Sequence, residues 1–258
     1  MNKNEEEKKF TQIERMDMPC IVDETEDFAV VFKPPRMHCI NKNLKYNREQ
    51  DEQKKINDED ADTLFYWCKK HIGAAEYLQL MHRLDYETHG LVLFAKNKNS
   101  FEFFKNLQDK GQFIKEYSAI CSNIENKFEL LSSLSSINYS LLPAVIESYF
   151  RPYGPGRKSV RPVIDDQKKR KETAKDKGSF YKTEIVSRNE NIFTLRIKRG
   201  FRHQIRCHLC WIGYPILNDP LYPELKEQKE TLALRSHALY FIDPSSSKNI
   251  EYRIESLS

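Results

Sequence analysis

No stretch of this chain approaches the ~20 consecutive apolar residues that a membrane-spanning helix needs. Its opening residues, Met1-Asn2-Lys3-Asn4-Glu5-Glu6-Glu7, lack the apolar centre of a secretory signal. Six cysteines (Cys20, Cys39, Cys68, Cys121, Cys207, Cys210) are scattered through 258 residues. That is too sparse for a disulfide framework, so they are expected as buried thiols packing like small apolar side chains. Cys207-His208-Leu209-Cys210 combines two zinc-ligand types, but a structural site wants a second pair at similar spacing. The sequence offers none, and no metal is expected. No internal repeat is present. With 39% hydrophobic and 31% charged residues, the chain reads as a cytoplasmic globular protein, long enough for one large domain or two small ones.

What the chain does have is an uneven charge distribution. Residues 151–202 carry 16 Lys/Arg against 6 Asp/Glu, while the whole chain is only +4. The remainder is therefore net negative, and a basic segment on an acidic body is the signature of an anion-binding face, with nucleic acid the commonest large anion. The tetrad Lys168-Lys169-Arg170-Lys171 by itself reads more simply as a solvated loop.

Along the chain, residues 1–20 read as a flexible, charged tail. Ile21 to Lys33 reads as a strand pair ended by Pro34-Pro35, and its second strand, Phe28 to Phe32, is apolar on both faces and so central. Residues 41–61 are almost wholly polar and read as a long loop. Asp62-Thr63 caps a helix running to about Ile72, with Leu64, Phe65, Trp67 and Cys68 facing in. Strands follow at Leu91 to Lys96 and Phe113 to Cys121, with a helix between them starting at Ser100. Residues 122–140 read as loop. After a strand at Val145 to Phe150, the Pro- and Gly-containing stretch 151–180 reads as one irregular connection. Tyr181 to Val186 and Ile192 to Lys198 read as a hairpin. In its second strand Phe193, Leu195 and Ile197 alternate with Thr194, Arg196 and Lys198, giving one apolar and one basic face. Residues 203–212 read as a helix, and strands close the chain at 232–234, 238–242 and 250–254. Strands outnumber helices and most connections are too short for helical crossovers, so the class is α+β: a mixed, mostly antiparallel central sheet flanked by helices.

Two segments concentrate chemistry. In His82-Arg83-Leu84-Asp85-Tyr86-Glu87-Thr88-His89-Gly90 a lone carboxylate, Asp85, sits in a turn between extended segments, where sites are commonly built. A lone acid beside an arginine is usually structural. Here Arg83 and Asp85 share a face of the extended stretch, while His82 points the other way, as a structural hydrogen-bonded histidine. In Gly200-Phe201-Arg202-His203-Gln204-Ile205-Arg206, helical spacing places Arg202 and Arg206 on one face, where two guanidiniums can hold a phosphate or carboxylate bidentately. Arg206, flanked by Ile205, Cys207 and Leu209, is expected to be partly buried and so to want a carboxylate partner.

Together these motifs resemble the RluA-type pseudouridine synthases, enzymes that isomerise uridine in structured RNA. His82-Arg83-Leu84-Asp85 with Thr88 and Gly90 is similar to the family's signature around its catalytic aspartate. Lys115-Glu116-Tyr117-Ser118-Ala119 is similar to the motif whose tyrosine packs on the target base. Gly200 with His203-Gln204-Ile205-Arg206 and His208 resembles the motif whose arginine pairs with the aspartate, continued by Ile212 to Ile216 and Asp219-Pro220-Leu221-Tyr222. Leu234 falls where the family has a leucine beside the aspartate. Departures are His89 in place of a serine, Phe201 in place of an arginine, Arg235-Ser236 in place of His-Ala, and Arg36-Met37-His38-Cys39 in place of a glycine-rich turn.

The resemblance implies a catalytic domain over residues 21–258, with no S4 domain before it, and a central catalytic cleft. It implies Asp85, Tyr117 and Arg206 as catalytic residues, and Arg83, Arg202, His203 and Leu234 as substrate-binding. It implies no cofactor and no metal, RNA as partner (large-subunit ribosomal or transfer RNA), no membrane and a monomer. The target uridine must leave its stack, at a cost of about a few kcal/mol. Arg83 then fills the vacated space and Tyr117 faces the uracil. A cation at Arg206 holds Asp85 ionised. The alternative is an RNA-binding or ribosome-assembly factor on the same scaffold without catalysis. A glycoside-type hydrolase would need a second acid, and none has a convincing setting.

Overall fold

The computed structural model describes residues 7–41, 62–73, 77–122, 144–163, 180–222 and 230–257. In chain order these form β1 (Glu7–Thr11), β2 (Cys20–Glu24), β3 (Phe28–Lys33), α1 (Leu64–His71), β4 (Gln79–Leu80), β5 (His89–Ala95), α2 (Lys98–Asp109), β6 (Ile114–Ile120), β7 (Ala144–Tyr153), β8 (Ser159–Val163), β9 (Tyr181–Asn189), β10 (Ile192–Ile197), α3 (Gln204–Trp211), β11 (Leu234–Ile242) and β12 (Asn249–Ile254). No described helix is long and apolar enough to cross a membrane. The chain divides into two compact units, the first drawn from Met1–Lys110 and Ala238–Glu255, the second from Gly111–His237 and Ser256–Ser258.

In the first unit β3 runs antiparallel between β2 and β5. Every residue of β3 and β5 is buried, which their nearly continuous apolar sequences require of strands covered on both faces. Helix α2 covers them. Its N-terminus is fixed by a reciprocal capping box: Ser100 N–H donates to the Asn97 side chain (2.8 Å) and Asn97 N–H to the Ser100 hydroxyl (3.4 Å). The helix therefore begins at Lys98, and Ser100, the expected start, is its third residue. Phe104 from α2 meets Phe28 and Phe241 edge-on at 5.8 and 5.4 Å, and Phe28 meets Tyr252 at 6.0 Å. Such edge contacts contribute about 0.5–1.5 kcal/mol each beyond burial. In α1, Thr63 caps as expected, accepting from Tyr66 N–H. Leu64 and Cys68 are buried, but Phe65 and Trp67 only half so.

One element corrects the expectation of a tail over residues 1–20. β1 pairs in parallel with β12, and the Lys9 ammonium donates to Asp23 (2.7 Å) and to the Tyr252 hydroxyl (3.2 Å). A charged stretch joins a sheet readily at an edge, where its main chain pairs and its side chains find acids. This is the parallel pair in an otherwise antiparallel set of named pairings, so the sheet is mixed and mostly antiparallel.

In the second unit the strands follow the order β6-β10-β9-β7-β8, antiparallel throughout. Phe193, Leu195 and Ile197 of β10 are buried, as the alternation predicts. The stretch 151–180 is not one irregular connection: β7 continues to Tyr153, a tight 3-10 turn occupies Pro155–Arg157, and β8 returns along β7. Proline is tolerated here because β8 ends the strand order and Pro152 lies beyond Ser148, the last β7 residue paired with β9. Residues 164–179, with the Lys168 to Lys171 cluster, lie outside the described residues. So do 42–61 of the expected polar loop and 123–143. Val160 of β8, Cys207 of α3 and Tyr222 form a buried cluster that Phe150 and Phe201 pack against.

Candidate active site

The Asp85 turn is held from three sides within the first unit. Leu84 N–H donates to the Cys39 sulfur (3.3 Å), and the same thiol donates back to Leu84 O (3.5 Å). Lys33, fully buried at the end of β3, donates its ammonium protons to Pro34 O and Met37 O (both 2.8 Å) and to Tyr86 O (3.3 Å). His82 Nε2 accepts from Leu93 N–H (3.2 Å), so this histidine is structural. Thr88 N–H closes the turn on Asp85 O (3.1 Å). Gly90, which pairs with Lys33, has φ +122°, a value that side chains avoid. Leu84 is buried, Asp85 half-buried and Arg83 exposed, which is the alternation expected of an extended approach to a site. Burial pushes the Lys33 amine down to about 8, with Cys39, Asp85 and Glu87 pulling it back up. The Thr88 hydroxyl is buried and has no hydrogen-bond partner among the described residues.

The second unit carries the remaining candidates. Tyr117 is buried in β6, and strand alternation puts Lys115 on the same face. Burial lowers the Lys115 amine to about 8, and it donates to Lys198 O (2.9 Å). That bond ties the Tyr117 strand to the segment that leads into α3. Arg206, on α3, is 2% exposed. Its carboxylate in this unit is Asp219: Nε donates to Oδ2 and Nη2 to Oδ1, both at 2.7 Å, in a bidentate pair. Asp219 Oδ1 also accepts from Leu221 and Tyr222 N–H. Leu234 is buried at the start of β11.

Two expectations about this segment are corrected. Arg202 does not share a helical face with Arg206, because His203 adopts left-handed backbone (φ 57°) and α3 begins only at Gln204. Arg202 instead reaches the β7–β8 turn, donating to Arg157 O (2.8 Å) and Ser159 O (3.3 Å). His203 Nδ1 lies 3.3 Å from the Tyr222 hydroxyl. The basic face of β10 is also less basic than its sequence: Arg196 pairs with Glu116 at 2.6 Å, and His237 holds the other Glu116 oxygen at 2.9 Å. Burial pushes the Glu116 carboxyl up, but the hydrogen bonds from His237 and Arg196 outweigh it and hold it at about 2.

The Cys207-His208-Cys210 segment is committed to packing. Both His208 ring nitrogens have hydroxyl partners, Thr183 at 2.8 Å and Ser148 at 2.9 Å. Burial lowers its pKa to about 3, so the ring is neutral. Cys207 donates to Val160 O. No group of three potential metal ligands occurs among the described residues. Sequence reasoning missed Lys33 and Cys39 as supports of the Asp85 turn, and Asp219 as a partner of Arg206. The signal for Asp219 was the demand of a buried arginine for a carboxylate.

A model of RNA pseudouridylate synthases matches residues 27–211, from the start of β3 to the end of α3. The chain belongs to the RNA pseudouridylate synthase family. Among curated relatives it is 24% identical over 258 residues to the ribosomal large subunit pseudouridine synthase D of Zymomonas mobilis, covering 94% of this chain and 71% of that one. It is 29% identical to an uncharacterized RNA pseudouridine synthase of Mycoplasma genitalium, covering 67% of this chain and 50% of the relative. The chain spans about half the length of several curated relatives it matches. Its fold is similar to human RNA pseudouridylate synthase domain containing 1, with TM-score 0.61 and 17% identity over 95% of this chain and 86% of that one. It is likewise similar to human domain containing 4, with TM-score 0.57 and 19% identity over 92% and 88%. The synthase match encloses Asp85, Tyr117 and Arg206, whereas Leu234 lies beyond it.

Proposed function

We propose that this chain is a cytoplasmic enzyme that converts uridine to pseudouridine in RNA, acting from β2 onward as a single catalytic domain with Asp85 as the reacting carboxylate. The observation that carries the reading is the family match over a segment in which Asp85 sits on a turn clamped by Lys33, Cys39 and His82. A clamped turn presents its acid in one orientation, which is what positional catalysis requires.

The reaction is an isomerisation. The bond from C1′ to N1 of uracil breaks and a bond from C1′ to C5 forms. C5 loses its proton and N1 gains one, so no redox step occurs. The base is first extruded from its stack at a cost of about a few kcal/mol, and Arg83 occupies the space it leaves. Tyr117 offers the uracil an aromatic face. The resemblance gives Arg206 the role of the arginine that partners the catalytic aspartate. A guanidinium carries five N–H donors, enough for one carboxylate at the Nε/Nη2 edge, as with Asp219, and a second elsewhere. Leu234 is assigned to substrate binding. Arg202 and His203, on the turn before α3, contact the RNA backbone. The relative from Zymomonas is named for the large ribosomal subunit, and large-subunit ribosomal RNA is the first substrate to test, ahead of transfer RNA.

Tritium release from RNA labelled at uridine C5 measures the reaction directly. Wild-type protein should release tritium from total cellular RNA, and Asp85→Asn should release none while binding RNA and melting as wild type does. Turnover by a clean Asp85→Asn preparation refutes the assignment of the acid, and silence of the wild type on every cellular RNA refutes the enzyme.

A further inference from the structure

The β7–β8 hairpin has two different faces. Its register pairs Tyr149 with Val163, Arg151 with Arg161 and Tyr153 with Ser159, alternating with Phe150 opposite Pro162 and Pro152 opposite Val160. Phe150 and Val160 point inward. Phe150 stacks on Phe201 (5.1 Å, 7° between planes) and meets His208 (4.8 Å), and Val160 is buried with Cys207 and Tyr222. Strand alternation therefore turns Tyr149, Arg151, Tyr153 and Arg161 to the other face.

On that face Tyr153 and Arg161 are exposed, and Tyr149 and Arg151 are half-buried. Two arginines stand directly opposite each other, an arrangement that destabilises an antiparallel pair, and Tyr153 is 55% exposed. The Arg161 guanidinium lies 5.4 Å from the Tyr153 ring centre. Tyr149 contacts Phe180 at 4.1 Å, and Phe180 is itself 44% exposed. The tip adds exposed Arg157 and Lys158. The acid of the hairpin, Glu147, is paired with Lys182. The tip is also fixed in place: Arg202 holds the carbonyls of Arg157 and Ser159, and the Ser159 hydroxyl donates to Tyr153 O (2.9 Å). Aromatic and cationic side chains alternating on a fixed hairpin, with Tyr153 and Arg161 exposed, suit unpaired RNA, whose bases stack on rings while its phosphates meet guanidiniums.

We infer that the outward face of the β7–β8 hairpin docks an unpaired stretch of the RNA substrate, with Tyr153 as a stacking surface and Arg161 against phosphates. The inference rests on the proposed activity for the identity of the polyanion. Strand geometry separates Tyr149 from Tyr153 by about 13 Å along β7, so the two rings serve different nucleotides.

The test measures binding of a fluorescein-labelled oligouridine and of heparin, a polyanion without bases, to the full chain across a salt series. Tyr153→Ala should weaken oligouridine binding about tenfold and leave heparin binding unchanged, whereas Tyr153→Phe should bind both as wild type. Arg161→Gln should lower the slope of log affinity against log salt by about 0.7 for oligouridine. Wild-type affinity of Tyr153→Ala for oligouridine overturns the inference, as does an equal loss for heparin and oligouridine or an unchanged slope in Arg161→Gln. Tritium release from total RNA is measured on the same preparations. If wild type releases tritium while Tyr153→Ala binds normally, the docking face falls alone. If wild type releases none while the binding pattern holds, the isomerase falls and the docking face stands.

Discussion

Asp219→Asn removes a buried negative charge from the second unit. The carboxylate is fully buried and accepts four hydrogen bonds: Nε of Arg206 on Oδ2, and Nη2 of Arg206 with the N–H groups of Leu221 and Tyr222 on Oδ1. Asparagine keeps the shape and one acceptor. If its oxygen takes the Oδ1 position, its amide group faces Arg206 Nε, donor against donor. The charge is lost whichever way it turns, and Arg206 is left buried without the Asp219 carboxylate. Breaking a buried pair by removing one partner costs about 3–5 kcal/mol, which for a chain of this size lowers Tm by on the order of 10 °C. Adding Arg206→Met removes the cation that has lost this carboxylate, while the asparagine oxygen still serves the two backbone N–H groups. The double variant should therefore recover most of the lost stability yet stay inactive. Thermal melting of wild type, both single variants and the double variant closes a mutant cycle. A wild-type melt for Asp219→Asn, or a double variant no more stable than that single variant, would show that the pair does not carry the energy assigned to it.

Two predictions concern pH. Lys115 has its folded pKa lowered from 10.5 to about 8, so between those values the unfolded chain binds more protons and stability rises with pH; below about 8 the group contributes no slope. The stability of wild type relative to Lys115→Met should accordingly increase by up to about 3 kcal/mol from pH 8 to 10, and parallel denaturation curves over that range would refute it. Glu116 is the opposite case. Its folded pKa is depressed from 4.5 to about 2, so its stabilisation is complete above 4.5 and is lost as pH falls toward 2. Glu116→Gln should flatten that acid limb by up to about 3 kcal/mol, and an unchanged acid limb would break the assignment of the Arg196 and His237 bonds.

Local periodicity made much of the fold readable. The continuous apolar runs of β3 and β5 and the alternation of Phe193, Leu195 and Ile197 each report burial through neighbours two residues away, and the structure follows them. The β7–β8 hairpin escaped because Pro152, Pro155 and Pro162 are breaker signals whose meaning depends on strand position. Pro155 sits in the turn, and Pro152 and Pro162 lie where no pairing with β9 is interrupted. Arg202 was misplaced for a similar reason. Helical spacing is a correct rule applied to a residue outside the helix, and what put it outside was the left-handed backbone of His203, which no periodicity encodes.

The supports of the site were illegible on different grounds. In sequence Lys33 is an ordinary lysine before two prolines. Its meaning comes from three carbonyls, two nearby in sequence and one on Tyr86, that converge on its ammonium. Asp219 follows the same logic. The need for a buried carboxylate could be derived from Arg206 and its apolar neighbours, but the acid that answers it arrives through a turn in which Asp219 N–H donates to Ile216 O and Asn218 adopts φ 59°. A buried charge thus announces that it has a partner without naming it. Motif similarity names one carboxylate for Arg206 and packing adds another, and the two are compatible because a planar guanidinium has more than one edge to offer. The residue that fixes the arginine in its fold and the residue proposed as the reacting carboxylate are therefore separable by mutation, with stability reading the first and turnover the second.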